Sequence, residues 1–257
     1  MSGARYHVRR ERGRMDIGWL SARFTFSFAD FVHPQGDRFG PVLALNEDEV
    51  QPGAGFPEHP HRDLEILMLP LEGAIAHEDS LGGRETVRVG QVLMMRAGRG
   101  VRHSQFNASE VSVDRHLQLW IEPEQRGLQP AVRLLDVPPP GCGEWRLVAA
   151  PDAGEGAFTL AQQAQVRLGA ACASRPLALE LAQGESAFLY VVHGACEAVL
   201  PGAVEPLQAG ESLAIESSPG AVLLQAAGAQ RADFLSVSFP ESLLLRNRTS
   251  AVVRAGR

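Results

Sequence analysis

The chain lacks any run of about eighteen consecutive apolar residues, so no stretch of it reads as a helix that spans a bilayer. It also lacks a surplus of positive charge: 24 Lys and Arg stand against 30 Asp and Glu, a formal net charge of −6. A phosphate-facing surface or a polybasic lipid anchor needs the opposite balance, so nucleic acid and membrane are not expected as direct partners. Cysteine is scarce. Cys142, Cys172 and Cys196 are odd in number, far apart and without a CxxC pair. Neither a disulfide framework nor a cysteine zinc site follows; all three read as small core residues, and a reducing cytoplasm is the expected location. Residues Met1 to Arg14 are rich in arginine but lead into no apolar stretch, which argues against a secretory signal.

The 257 residues are 45% hydrophobic, enough to bury a core in one large domain or two ordinary ones. Glycine and proline recur about every eight to twelve residues with short apolar runs between them, a spacing that favours antiparallel strands. Phe24, Phe26 and Phe28 alternate with polar neighbours, the period of a strand over Arg23–Phe28. Further strands are expected at Ile66–Leu71, Gln91–Met95, Leu117–Ile121, Ala187–Val192 and Phe234–Phe239, with any helical turns near Glu122–Gly127 or after Pro240. Pro138, Pro139 and Pro140, followed by Gly141, cannot donate ladder hydrogen bonds and read as a stiff linker. The halves share a rhythm of turns: Gly73, Gly90 and Gly100 in the first, Gly194, Gly210 and Gly220 in the second. Two copies of one β-fold is the economical reading. It sets a first domain at residues 1–137, a second at 141–240, and a tail at 241–257 with Arg246, Arg248, Arg254 and Arg257.

Six of the eight histidines lie from His33 to His116. In FPEHPHRDLE, His59 and His61 are two apart and share one face of an extended strand, with Asp63 and Glu65 following if the strand continues. Pro60 between them suits a strand edge. About forty residues on, GRGVRHSQF sets His103 and Gln105 two apart. An HxH alone also fits a surface turn; the second pair, after a glycine turn, favours three imidazoles on one metal. Imidazole suits iron, copper, nickel, manganese or zinc, and three histidines leave positions open for substrate or water. His33 and His116 have no partner at ligand spacing, and His193 has no companion.

The stretches GFPEHPHRDLE, LEGAIAHEDSLGG and MRAGRGVRHSQF resemble the signature of the pirin family, within the cupin superfamily. FTFSFADF, VLALNEDEV and LQLWIEPEQRGLQP extend the resemblance, which is dense from about Phe24 to Pro130. It implies an all-β bicupin: two antiparallel β-barrels with metal in the N-terminal one alone. By the family's pattern the ligands would be His59, His61, His103 and the residue at position 105. The family has glutamate at that fourth position and this chain has Gln105, a neutral amide that neither offsets a cation's charge nor accepts a proton. Glu65, four residues after His61, is the other candidate for the fourth ligand or a catalytic base; pirins carry a glutamate there without using it as a ligand, which makes it a hydrogen-bond acceptor behind the site. His77 belongs to the family pattern and reads as stabilising a strand or turn.

The resemblance implies two functions of different class. One is a quercetin 2,3-dioxygenase-type enzyme using a divalent metal, iron(II) foremost, with a small aromatic or enolic substrate and O₂. The other is a regulatory pirin that binds a protein partner, its metal serving structure or redox sensing.

Overall fold

The computed structural model describes residues 5–217, 220–228 and 230–246. The tail beyond residue 246 lies outside them. The first strands are β1 (Arg5–Arg9), β2 (Gly13–Asp16), β3 (Leu20–Phe24), β4 (Val42–Val50), β5 (Gly55–His61) and β6 (Glu65–Glu72). Next come β7 (Ala74–Asp79), β8 (Arg84–Arg88), β9 (Gln91–Arg96), β10 (Val101–Asn107), β11 (Asp114–Ile121) and β12 (Ala131–Asp136). After the prolines follow β13 (Glu144–Ala150), β14 (Phe158–Thr159), β15 (Gln165–Cys172), β16 (Leu177–Glu180) and β17 (Glu185–His193). The last are β18 (Ala195–Leu200), β19 (Ala203–Gln208), β20 (Ser212–Ser217), β21 (Ala221–Ala226), β22 (Arg231–Pro240) and a short helix α1 (Ser242–Arg246). Five of the six expected strands lie within these elements. The phenylalanine stripe differs: β3 stops at Phe24, and Phe28 bridges Phe31 in a tight loop. The expected turns after Pro240 form α1, whereas Glu122–Gly127 is loop. No helix among the described residues is long and apolar enough to cross a membrane.

The chain divides into two compact units, each with a seven-stranded and a four-stranded sheet. In the first unit the orders are β12-β9-β6-β11-β4-β3-β2 and β5-β10-β7-β8. In the second they are β1-β20-β17-β22-β15-β13-β14 and β16-β21-β18-β19. Raising each number by eleven turns β5-β10-β7-β8 into β16-β21-β18-β19, and β9-β6-β11-β4 into β20-β17-β22-β15. This repeated antiparallel jelly-roll topology is the duplication that the glycine rhythm pointed to. The turns repeat in atomic detail. Gly73 (φ +72°) and Gly194 (φ +78°) join the strand pairs β6–β7 and β17–β18. A Cβ would sit 2.6 Å from Val113 O at the former and 2.4 Å from Arg231 O at the latter, so only glycine fits either turn.

Residues 5–11 and 39–41 belong to the second unit, a departure from the division at 1–137. The physical reason is an open sheet edge. β1 pairs antiparallel with β20 from Arg5↔Ser217 to Arg9↔Ser212 and satisfies backbone groups that an unpaired edge would leave exposed. Arg10 seals the pairing through Glu211 at 2.8 Å. The thiols also depart from expectation. Cys142 and Cys172 form a disulfide with Cα atoms 5.5 Å apart, brought together by the β13–β15 pairing; Cys196 alone is a buried free thiol. Odd number and wide spacing conceal such a pair, because strand pairing overrides sequence distance.

Candidate metal centre

The site is built on β5 and β10, neighbours in the small sheet of the first unit. Their register sets His103 opposite His59 and Val101 opposite His61. The three imidazole centroids lie 4.5 Å (His59–His103), 4.8 Å (His59–His61) and 5.0 Å (His61–His103) apart. One ligand nitrogen from each lies within 4.8 Å of the others, a spacing at which small ring rotations bring all three onto one ion.

The hydrogen bonds leave the coordinating nitrogens free. His59 Nδ1 lies 2.8 Å from Pro57 O, a carbonyl that can only accept, so Nδ1 carries a proton and Nε2 is the nitrogen left to face an ion. His103 Nδ1 lies 3.0 Å from His77 Nε2, and His77 Nδ1 lies 3.8 Å from Asp79 Oδ2. That row of buried groups orients His103 from behind, whereas the sequence pointed only to a strand- or turn-stabilising role for His77. His61 Nε2 and His103 Nε2 are buried without a hydrogen-bond partner. Two orphaned imidazole nitrogens beside a third are costly in an apolar setting and fit a bound cation. Burial foremost, then the charge of His59, pushes His61 down to about 4. Burial, then His59, His61 and His77, pushes His103 down to about 2. Both are therefore neutral at ordinary pH, the form that ligates a metal.

Gln105 lies two residues beyond His103, with β5 shifting register between them. It is buried and lines the same cavity as His59 and His61. Its Oε1 accepts from Gln118 Nε2 at 3.2 Å, and its amide faces Met68 Sδ. Gln118 Oε1 in turn accepts from Trp120 Nε1 at 2.6 Å.

Glu65 is not brought to the histidines. β5 ends at His61, the chain turns at Asp63 (φ +52°), and β6 opens in the other sheet. The turn resets the alternation that would have carried Glu65 onto the histidine face. Along β6, Ile66 and Met68 point into the core shared with Val101, so Glu65 points to the opposite face. There its carboxylate, fully buried, accepts from Arg96 Nε at 2.6 Å. Asp63 is likewise a turn residue: its Oδ1 accepts from Gly127 N–H at 2.7 Å.

A cavity of about 900 Å³ adjoins the histidines. Phe24, Phe28, Phe56, Trp120, Leu20 and Met15 supply an apolar wall, while His59, His61, Gln105, Gln118, Asn46 and Asp48 supply the polar one. The sequence left Asp48 unmarked and His116 without a partner at ligand spacing, although Asp114 and His116 stand two apart and share a strand face as the ligand pairs do.

Comparison with known proteins gives the family. The family model Pirin matches residues 5–121. The chain is 36% identical over 186 residues to quercetin 2,3-dioxygenase of Escherichia coli (strain K12), covering 72% of this chain and 79% of that protein. It is 42% identical over 119 residues to a pirin-like protein of Caulobacter vibrioides, 46% of this chain and about half (51%) of that one. Among solved structures, the bacterial pirin YhhW of Escherichia coli in complex with nickel(II) superposes with a TM-score of 0.83 at 30% identity, over 92% of this chain and 99% of that one. By its sequence, its repeated jelly-roll units and its histidine cluster, the chain belongs to the pirin family of cupins.

Proposed function

We propose that the chain is a metal-dependent dioxygenase of small phenolic or enolic compounds, with quercetin-like flavonols as the first class to test. The observation that carries this reading is the juxtaposition of three clustered imidazoles with a cavity large enough for such a ring system. The names of the E. coli relatives, a quercetin 2,3-dioxygenase and a pirin holding nickel(II), support it. His59, His61 and His103 would hold the ion, iron(II) foremost, with Gln105 Oε1 as the fourth donor; the bound metal would supply open positions for substrate oxygens and for O₂. The chain's own residues do the rest. Phe24, Phe28, Phe56 and Trp120 offer flat apolar surface for an aromatic substrate and exclude water from it. Gln118, fixed between Gln105 and Trp120, presents a polar edge on the same cavity.

One observation favours a second reading, a regulatory pirin with a protein partner. Gln105 brings no negative charge to the ion, and its amide is engaged by Gln118. Elemental analysis and oxygen uptake on quercetin, measured side by side for wild type and His61→Ala, test both. The first reading expects about one metal per chain and oxygen uptake, both lost in the variant. Equal metal in the two proteins overturns the site. Metal without uptake leaves the second reading.

A further inference from the structure

β11 and β4 carry a second polar cluster into the cavity wall. Alternation along β11 puts Asp114, His116, Gln118 and Trp120 on one face, and the register sets His116 opposite Asp48 and Gln118 opposite Asn46. Asp114, His116 and Asp48 are 1%, 1% and 5% exposed. His116 Nδ1 lies 2.9 Å from Asp114 Oδ2, and His116 Nε2 lies 3.7 Å from Asp48 Oδ2. Asp114 and His116 stay behind the wall, whereas Asp48 lines the cavity with His59, His61 and Gln105. Among the described residues lining that cavity, Asp48 is the sole carboxylate. Two carboxylates and an imidazole buried together are expensive to maintain for structure alone, and such clusters gather where proton chemistry is done.

We propose that Asp48 is the general base of this site, with His116 and Asp114 as positioning residues that hold its carboxylate ready; the proposal rests on the phenolic or enolic substrate class proposed above. The substrate O–H bond breaks, its electron pair stays on the substrate oxygen, and the proton bonds to an Asp48 Oδ. The substrate becomes an anion, the carboxylate a neutral acid, and no electrons change hands. Gln105 cannot perform this step, because an amide has no basic lone pair at neutral pH. The environment suits the task. Burial foremost pushes the Asp48 carboxyl up to about 6; His116 draws it down, and Asp114 and Glu47 push it up. Burial works against a charge on His116, but the Asp114 hydrogen bond and the charges of Asp48 and Asp114 outweigh it and raise its pKa. Across β3 the residue opposite Asp48 is Ala22, which brings no charge.

The test uses metal-loaded protein and quercetin as the probe. Under nitrogen, the visible spectrum reports whether bound quercetin is neutral or anionic; in air, oxygen uptake reports turnover. Wild type should bind the anion, and Asp48→Asn should bind neutral quercetin with its metal content unchanged and turnover down by about a hundredfold. Asp48→Glu, which keeps the carboxylate, should recover much of the loss and guards against a folding defect in the asparagine variant. Removing the imidazole that draws Asp48 down, by His116→Gln, should move the acidic limb of the pH–rate profile to higher pH. Anion binding and turnover undiminished in Asp48→Asn would overturn the role of Asp48 alone. Failure of wild type to bind quercetin at all would overturn the substrate class and this proposal together.

Discussion

The two units share their strand pairing and differ in what the pairing carries inward. In the first, the β5–β10 pair presents His59, His61, His103 and Gln105 beside a cavity. In the second, the corresponding β16–β21 pair presents Leu177, Leu179, Val222 and Leu224, all buried in one continuous core. The turns that dictate the fold are the same, down to Gly73 and Gly194. Fold and site are therefore separable instructions in this chain. A buried leucine stabilises by about 1.5–3 kcal/mol, whereas an imidazole buried with an unpartnered nitrogen costs about 1–3 kcal/mol. By that arithmetic the β5–β10 positions stabilise their unit less, without metal, than the β16–β21 positions stabilise theirs.

The sharpest way to break the contrast is to make the first unit resemble the second. His59→Leu, His61→Leu and His103→Leu together should reduce metal from about one per chain to less than about a tenth, by elemental analysis. Freed of its orphaned nitrogens, the variant should also melt at or above the temperature of chelator-treated wild type, provided that the leucines fit. A variant that kept its metal would place the ion elsewhere.

Much of this contrast was legible in sequence. The HPH and HSQ spacings share strand faces, and His59 does lie opposite His103, although the register shifts before Gln105. The proline run marks the change of unit, since one compact body ends at Pro138 and the other resumes at Pro139. What was hidden depends on long-range pairing. Nothing local says that β1 leaves its own half to pair with β20, or that β13 and β15 bring Cys142 to Cys172. Glu65 does not continue the histidine face because a single residue in the left-handed region, Asp63, ends the parity count. Asp48 was missed because its partner His116 lies 68 positions further on, and only the β4–β11 register joins them.

Reduction of the disulfide should act on the second unit alone. Cys142 and Cys172 enclose about thirty residues of it, a loop whose constraint is worth roughly 3–4 kcal/mol. Urea unfolding with and without reductant, followed through Trp145, should show that loss, while Trp19 and Trp120 in the first unit report little change. A pH series distinguishes the units in the opposite sense. The folded pKa of His103, about 2, lies below its unfolded value of about 6.5, so the unfolded chain binds the proton first. Its contribution is thus complete above about pH 6.5 and falls as the pH drops towards the folded value. At pH 5, some 1.5 pH units below the unfolded pKa, the loss should be about 2 kcal/mol. Asp48, with its pKa raised, works in the other direction, so the measurement is the difference between chelator-treated wild type and His103→Leu at pH 7 and pH 5. Equal pH slopes in the two proteins would show that His103 is not held neutral.

The smallest expected effect is a gain, from restoring the family's carboxylate at the position where this chain departs from it. Gln105→Glu is nearly isosteric, and Gln118 Nε2, which now donates to Gln105 Oε1 at 3.2 Å, can donate to a glutamate oxygen just as well. What is lost is the weak contact of the amide with Met68 Sδ, and what is gained is a negative donor beside three imidazoles. Without metal the variant carries a buried charge that only Gln118 satisfies, so its chelator-treated form should be less stable than wild type. With metal that charge is offset by the ion. Retention against a chelator should rise about tenfold, the lower end of what altered ligand environments produce. The second unit supplies the control: a glutamate in place of Leu224, on the corresponding strand, meets no histidines and should only destabilise. Turnover discriminates further. If Asp48 already takes the substrate proton, a second carboxylate adds little to the rate, and the gain appears in metal retention alone. A rise in quercetin turnover approaching a hundredfold would mean that a base had been missing, and would transfer that role from Asp48 to position 105. Unchanged chelator resistance would remove Gln105 from the ligand set and leave the three histidines with open positions on every other side.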